Sequence, residues 1–280
     1  MKKIGIIANM QKTGAKKYSN IVAQSLKGRA EIYTNEEYDG DDSDITKLTY
    51  EDLAKKVDYM IVMGGDGTII RAAGNCARYG VPVLGVNLGR IGFMTEIEPD
   101  MTDDALTALL EGRYKTEKRM MMKMQIMCNG ENFSTCHALN DIVVSKSAGV
   151  KLIGIDIYTD NELVNSYISD GIIIATPTGS TGYSISAGGP VVDPRMNLYV
   201  ATPICAHMLS VRSAILSSDK QIKIRLLKDY NSGRAIVSAD GEVQSEIRDN
   251  DEVIITRSQY QLELIKIGDK SFYDTLMKKL

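Results

Sequence analysis

At 280 residues the chain is long enough for two domains with separate cores, and 44% hydrophobic beside 25% charged residues is the balance of a soluble globular protein. The formal net charge of -3 supplies no overall basic field, which argues against nucleic acid as a partner. No window approaches the roughly 18 consecutive apolar residues of a membrane span, so no membrane partner is expected.

Lys2-Lys3 opens like a secretory leader, but the apolar stretch after it ends at Asn9, too short for a signal-peptide core. A cytoplasmic location is expected. The next hundred residues alternate short apolar runs with longer amphipathic ones. Strands are expected at 4–7, at 30–33, in a run ending at Met63 and at 81–86, with helices near 15–26, 50–56 and 68–79. That alternation indicates βαβ units and a Rossmann-like parallel sheet. An acidic segment, 35–44, breaks it and is expected as a mobile loop. A helix near 103–111 closes this part.

Beyond it the hydrophobic period changes to two. Strands are expected at 120–128, 133–145, 152–158, 163–169, 171–175, 222–227, 235–239, 243–247 and 252–257. Turn pairs such as Asn129-Gly130 and Asp240-Gly241 join several of them, the signature of an antiparallel, β-sandwich-like domain. A further strand at 262–267 and an amphipathic helix at 271–280 follow. The expected division is an α/β domain over 1–100, rejoined by 258–280, and a β domain over 101–257.

Four cysteines, Cys76, Cys128, Cys136 and Cys205, form no C-x-x-C pair and lie among apolar neighbours, so they are expected as buried reduced thiols. The two histidines, His137 and His207, fit neither a zinc motif nor a Ser-His-Asp arrangement and are read as structural. No metal-ligand cluster is expected from the chain itself.

The chemistry concentrates elsewhere. Gly64-Gly65-Asp66-Gly67-Thr68 follows an apolar run and precedes a helix. Glycines allow close backbone approach, and free N–H groups at a helix start attract anions, so the loop suits phosphate. The single carboxylate adds nothing to an anion cradle unless it accepts a proton from an attacking hydroxyl, which points to a kinase. Asp66 as a helix cap is the structural alternative. A second cluster runs from Thr176 to Pro190, where hydroxyl residues threaded through glycines offer donors and acceptors to a sugar or nucleotide. Asn140-Asp141 sits inside an apolar strand-like run and must be paired if buried. A binding role and a satisfied bulge are both open for it. Asp240-Gly241 is read as turn chemistry before any active role.

Together these pieces resemble the NAD kinase family, in matching order from the first strand to about Thr256. The resemblance rests on the Gly-Gly-Asp-Gly-Thr loop, Gly85-Val86-Asn87-Leu88-Gly89-Arg90-Ile91-Gly92-Phe93-Met94-Thr95, Asn140-Asp141, the loop from Thr176 to Tyr183, Gly188-Gly189-Pro190 and Thr202-Pro203-Ile204-Cys205-Ala206-His207. It implies transfer of the terminal phosphoryl group of ATP, or of polyphosphate, to the 2′-hydroxyl of the adenosine ribose of NAD, forming NADP. It also implies Mg²⁺ carried with the nucleotide and assembly as a homo-oligomer, a dimer or tetramer. By the same resemblance Asp66 is the general base, and Gly65, Gly67 and Thr68 lie close to the phosphates. Phe93 lines the adenine pocket, Asn140 and Asp141 hold adenine and ribose, and Thr178, Thr181, Gly182, Tyr183 and Ser186 complete the nucleotide site. Asp170 approaches the nicotinamide end, from a neighbouring subunit. The chain departs from many members at Asp141, where they carry Glu, and at Gly182, where they carry Ala.

The absence of G-x-x-x-x-G-K-[ST] means that a triphosphate is not held by a P-loop. Two alternatives share parts of this pattern. A lipid kinase of the diacylglycerol or sphingosine kinase type has a similar glycine loop but should show an apolar channel or membrane-facing surface. A nucleotide sensor would bind NAD or NADP without turnover and has no need of Asp66.

Overall fold

The computed structural model describes residues 1–40, 45–149, 151–207, 212–227 and 234–279. The chain divides into two compact units, one of residues 1–119 with 260–280 and one of residues 120–259.

In the first unit β1 (Lys2–Ala8), β2 (Ala30–Asn35), β3 (Thr46–Leu48), β4 (Tyr59–Gly64) and β5 (Val83–Asn87) form a parallel sheet in the order β5-β4-β1-β2-β3. Every residue of β4 is buried, as both faces of a parallel sheet demand, so it reads as a continuous apolar run. Helices α1 (Ala15–Leu26), α2 (Tyr50–Lys56), α3 (Asp66–Tyr79) and α4 (Thr102–Leu110) accompany it. In α1 the buried residues Ala15, Ser19, Val22, Ala23 and Leu26 follow the helical repeat and lie on one stripe. Ile4, Ile6, Ile61, Met63, Leu84 and Val86 meet Val22, Leu26, Leu106 and Leu109 in one core. Residues 41–44 of the expected acidic loop lie outside the described residues, and Asn35 ends β2.

The second unit is built from antiparallel strands in two sheets. After β6 (Lys115–Cys128) come β7 (Glu131–Ala138), β8 (Asp141–Lys146), β9 (Ile153–Thr159), β10 (Glu162–Ser169), β11 (Gly171–Ala175), β12 (Leu198–Ile204), β13 (Ala214–Ser217), β14 (Ile222–Leu226), β15 (Arg234–Ala239), β16 (Glu242–Arg248) and β17 (Glu252–Lys266). One sheet runs β13-β12-β11-β8-β15-β16. The other holds β10-β9-β14-β17, with β6 and β7 as a hairpin. Met122, Met124, Ile142, Val144, Ile155, Ile172, Tyr199, Ile224, Val237 and Ile255 draw both sheets into one core. The last residues of β17 return to the first unit, where Leu264 pairs parallel with Val83, and α6 (Phe272–Lys279) ends the described chain.

Several expectations are corrected here. The single strand expected over 133–145 is two, because the chain leaves the β6 hairpin at Ala138 and enters the other sheet at Asp141, with Leu139 and Asn140 as the crossing. The two strands expected at 252–257 and 262–267 are one strand of 15 residues. Its polar middle resembles a loop, yet Ser258 is buried and bonded to the His137 ring at 2.8 Å. Strands β3, β12 and β13 were not expected. Pro203 disguised β12, but it lies beyond the stretch paired with β13, so its missing N–H costs no ladder bond there. Cys205 is exposed and Cys128 and Cys136 are half-buried rather than buried, while Cys76 is buried as expected. Among the described residues no helix is long and apolar enough to cross a membrane.

Candidate functional site

The first unit places its polar cluster at the carboxyl ends of β4 and β5, where ligands of open parallel sheets collect. Gly64 pairs with Asn87, and the Leu88 N–H donates to the Gly64 carbonyl at 2.8 Å, so the loops after the two strands leave side by side. Helix α3 begins two residues earlier than expected, with Gly65 as its cap and Asp66 in its first turn. Asp66 does not cap that helix. Its Oδ2 accepts from the Phe93 N–H at 2.8 Å and its Oδ1 from the Met94 N–H at 3.0 Å. A Cβ at position 92 would overlap the Asp66 carboxylate, so glycine there is a condition of this close approach. Each carboxylate oxygen keeps a second lone-pair direction free of these bonds. Around Gly65 and Gly67 an added Cβ would meet nothing, so the space over the loop is open. Thr68 is buried, with its hydroxyl against Gly64.

The loop that supplies the two amides is itself held by the end of the chain. Glu96, almost fully buried, pairs with the Lys266 ammonium at 2.5 Å and accepts from the Gly268 N–H at 3.2 Å. The Phe93 ring lies 5.5 Å from that of Phe272 in α6, and the Lys279 ammonium sits 4.3 Å from the Phe93 ring centre.

The second unit places its cluster at the crossing between its sheets. The Thr176 N–H donates to the Asn140 carbonyl at 2.8 Å, and the Thr176 hydroxyl donates to the Leu139 carbonyl at 2.6 Å and accepts from the Gly179 N–H at 3.1 Å. A side chain at Gly179 would collide with the Asn140 backbone, which lets the glycine-hydroxyl loop lie directly on the Asn-Asp pair. Gly182 faces both members: its Cβ position is 3.5 Å from Asn140 Nδ2 and 4.0 Å from Asp141 Oδ2. Within the loop the Ser180 hydroxyl donates to the Pro177 carbonyl and accepts from the Val192 N–H, and Ser184 bonds Thr202. Those hydroxyls are consumed by the loop's own structure. Thr178 is buried, Thr181 donates to the Thr178 carbonyl at 3.3 Å, and Tyr183, at 49% exposure, and Ser186 are left facing outward.

Asn140 Oδ1 is sealed from solvent and finds no hydrogen-bond partner among the described residues. The neighbouring Asp141 carboxyl is pushed up to about 7, first by burial and then by the negative charge of Asp240. Asp240, expected as a turn residue, does form the turn between β15 and β16, but its carboxylate also accepts from the Leu139, Asn140 and Asp141 N–H groups at 2.7, 2.7 and 3.1 Å. The sequence carried no signal for this beyond an acid at a hairpin tip.

Asp170 stands apart. Asp141 pairs with Ala175 at one end of β11, while Asp170 precedes Gly171 at the other, roughly 15 Å away at the rise of a strand. It is bonded to the Lys146 ammonium at 2.7 Å. The remaining expected site residues thus fall into two groups, Gly65, Asp66, Gly67, Thr68 and Phe93 in the first unit and Asn140, Asp141, Thr178, Thr181, Gly182, Tyr183 and Ser186 in the second.

Comparison with known proteins bears on both halves. The family model described as the ATP-NAD kinase N-terminal domain matches residues 4–114, and that of the ATP-NAD kinase C-terminal domain matches residues 139–267. The NAD kinase of Ruminiclostridium cellulolyticum is 38% identical over 285 residues, covering 100% of this chain and 98% of that protein. The NAD kinase of Lachnoclostridium phytofermentans is 37% identical over 286 residues, covering 100% and 99%. Among solved structures, an NAD kinase from Archaeoglobus fulgidus in complex with ATP superimposes with a TM-score of 0.76 at 25% identity, covering 100% of this chain and 98% of that one. A yeast NADH kinase complexed with NADH gives 0.87 at 21% identity, covering 99% and 86%, which shows the shared fold. None of these comparisons supports the lipid kinase alternative.

Proposed function

This chain belongs to the ATP-NAD kinase family, and we propose that it transfers the terminal phosphoryl group of ATP to the 2′-hydroxyl of the adenosine ribose of NAD, giving NADP. The observation that carries the mechanism is the Asp66 carboxylate, gripped by two consecutive amides beside an open glycine loop. As general base it takes the proton of the attacking ribose hydroxyl. The amides fix the direction of its free lone pairs, so the proton is met without the carboxylate having to reorient. The backbone of Gly65 and Gly67 at the start of α3 gives phosphate oxygens a close approach to N–H groups and the positive helix end.

For the nucleoside end, the orphaned Asn140 Oδ1 suits an exocyclic purine amino group, and Asp141 suits a ribose hydroxyl, in either of its protonation states. Thr178, Thr181, Gly182, Tyr183 and Ser186 are the loop positions we assign to the same ligand. Asp170 is assigned to the nicotinamide end through a neighbouring subunit of a homo-oligomer, since strand β11 holds it away from Asn140 of its own chain.

Phosphoryl transfer asks for positioning and charge neutralisation more than for covalent chemistry. Among the described residues no group of three or more His, Cys, Asp or Glu is placed to hold a metal ion. We assign the divalent cation of the reading, Mg²⁺, as a companion of the nucleotide phosphates, where it would neutralise charge, and no step is routed through it.

NADP formation from NAD, ATP and Mg²⁺, read with an NADP-specific dehydrogenase, tests the reading. Activity that Asp66→Asn abolishes supports both the reaction and the base. NAD binding without turnover in the wild-type protein would favour a nucleotide sensor.

A further inference from the structure

The turn between β15 and β16 places Asp240 at φ 49 and Gly241 at φ 83, the left-handed pair of a two-residue hairpin. Such a turn needs a first residue that tolerates positive φ, and Asn or Gly would serve as well. It does not need an inward carboxylate. Asp240 Oδ2 nevertheless accepts from the Leu139 N–H, and Oδ1 accepts from the Asn140 and Asp141 N–H groups. The Asp240 N–H in turn donates to the Asp141 carbonyl at 2.9 Å. Three consecutive amides on one carboxylate fix the peptide planes on both sides of Asn140 at the point where the chain changes sheets. Asn140, whose Oδ1 is buried and finds no partner among the described residues, is carried on that backbone.

We propose that Asp240 is a positioning residue for the substrate NAD, holding the Asn140–Asp141 pair in the orientation that receives the nucleoside end. The inference rests on the assignment of that pair made under the proposed function. Asp240 acts through the pair and touches no reacting atom. It also has an electrostatic effect that a mere turn residue would lack. Its charge adds to burial in keeping the Asp141 carboxyl protonated to unusually high pH. The other titratable groups around the two acids are few. Cys136 on β7 is pushed up to about 11 by burial and by Asp240, and Glu242 on β16 adds to the burial that raises Asp240 itself, against the three amides that lower it. The loop over 176–182 brings no titratable side chain.

Two variants of the full chain separate the roles. Asp240→Gly keeps a turn-compatible residue and removes the carboxylate; Asp240→Asn keeps the shape and removes the charge. KM for NAD should rise about tenfold in Asp240→Gly, with kcat at saturating NAD within about twofold of wild type. In Asp240→Asn the Asp141 carboxyl, held at about 7 in part by the Asp240 charge, should titrate at lower pH than in wild type when its side-chain carbon resonance is followed. A KM within about twofold of wild type in Asp240→Gly, together with an unmoved ionisation in Asp240→Asn, overturns the proposal and leaves Asp240 a turn residue. If a variant does not fold, the wild-type protein still decides: the amide resonances of residues 139–141 should titrate together with the Asp240 carboxyl, and independent titration counts against the grip. Wild-type protein that makes no NADP would sink the functional reading alone, because the amide titration judges the positioning separately.

Discussion

Asp66 in the first unit and Asp240 in the second both accept consecutive backbone amides, two from Phe93 and Met94 and three from residues 139–141. Their surroundings differ. Beside Asp66 the glycine loop is open, and the carboxylate keeps lone pairs that a ligand can reach. Asp240 is half-buried, with burial the first cause of its raised pKa and three amides taking up its oxygens. The same device therefore serves two ends. Where two amides leave a carboxylate with lone pairs beside an open loop it is aimed for chemistry, and where three take up its oxygens the acid is spent on aiming its neighbours.

The largest loss is expected at Asp66 itself. Asp66→Asn should lower kcat by about 10²-fold or more, the scale of losing a general base, with NAD binding nearly intact. Steady-state rates alongside a binding titration check it, and an unchanged rate would remove Asp66 from that role. A smaller loss is expected from Gly92→Ala, whose new methyl group overlaps the carboxylate and forces either it or the 92–95 loop to shift. We expect kcat to fall by roughly tenfold or more, because a displacement of about 1 Å is enough to spoil alignment.

On the other side of the comparison, Asn140→Ala should act on binding. Losing one hydrogen bond of about 1 kcal/mol raises KM for NAD by roughly five- to tenfold while kcat holds. An effect confined to kcat would separate Asn140 from the nucleoside end. The mildest test leaves turnover aside. Asp141 has its ordinary carboxylate pKa in the unfolded chain and about 7 in the fold, so it favours the folded state only while protonated. That contribution is full below about pH 4 and is lost as pH rises through about 7. Thermal unfolding without ligand should therefore show Asp141→Asn gaining on wild type between those limits, by a few degrees at about pH 8 and by little at about pH 4. A gain that does not depend on pH would mean that Asp141 is not buried against Asp240 as described.

Much of this architecture was legible from the chain. Helices α1 and α2 fall where the 3.6-residue repeat put them, and β11 where the apolar run put it. Those signals are local, because the burial of each residue is written in its near neighbours. The glycine loop, Asn140-Asp141 and the loop from Thr176 were legible as chemistry for a related reason: glycines, amides and hydroxyls in such density are poor scaffold. Misreadings occurred where a distant partner overrode the local pattern, as with Ser258 inside β17, bonded to His137 across 121 residues.

The sequence by itself determined the two kinds of domain, most of their elements and the family. Only the tertiary structure decided what the acids do. Asp66 meets its amides 27 and 28 residues away, and Asp240 meets its own 99 to 101 residues away through the register that sets Ala239 against Ile142. Asp170 was drawn away from Asn140 in the same manner, by a strand of five residues. Local propensity depends on neighbours along the chain, whereas a hydrogen bond depends on neighbours in space, and strand pairing alone brings those together.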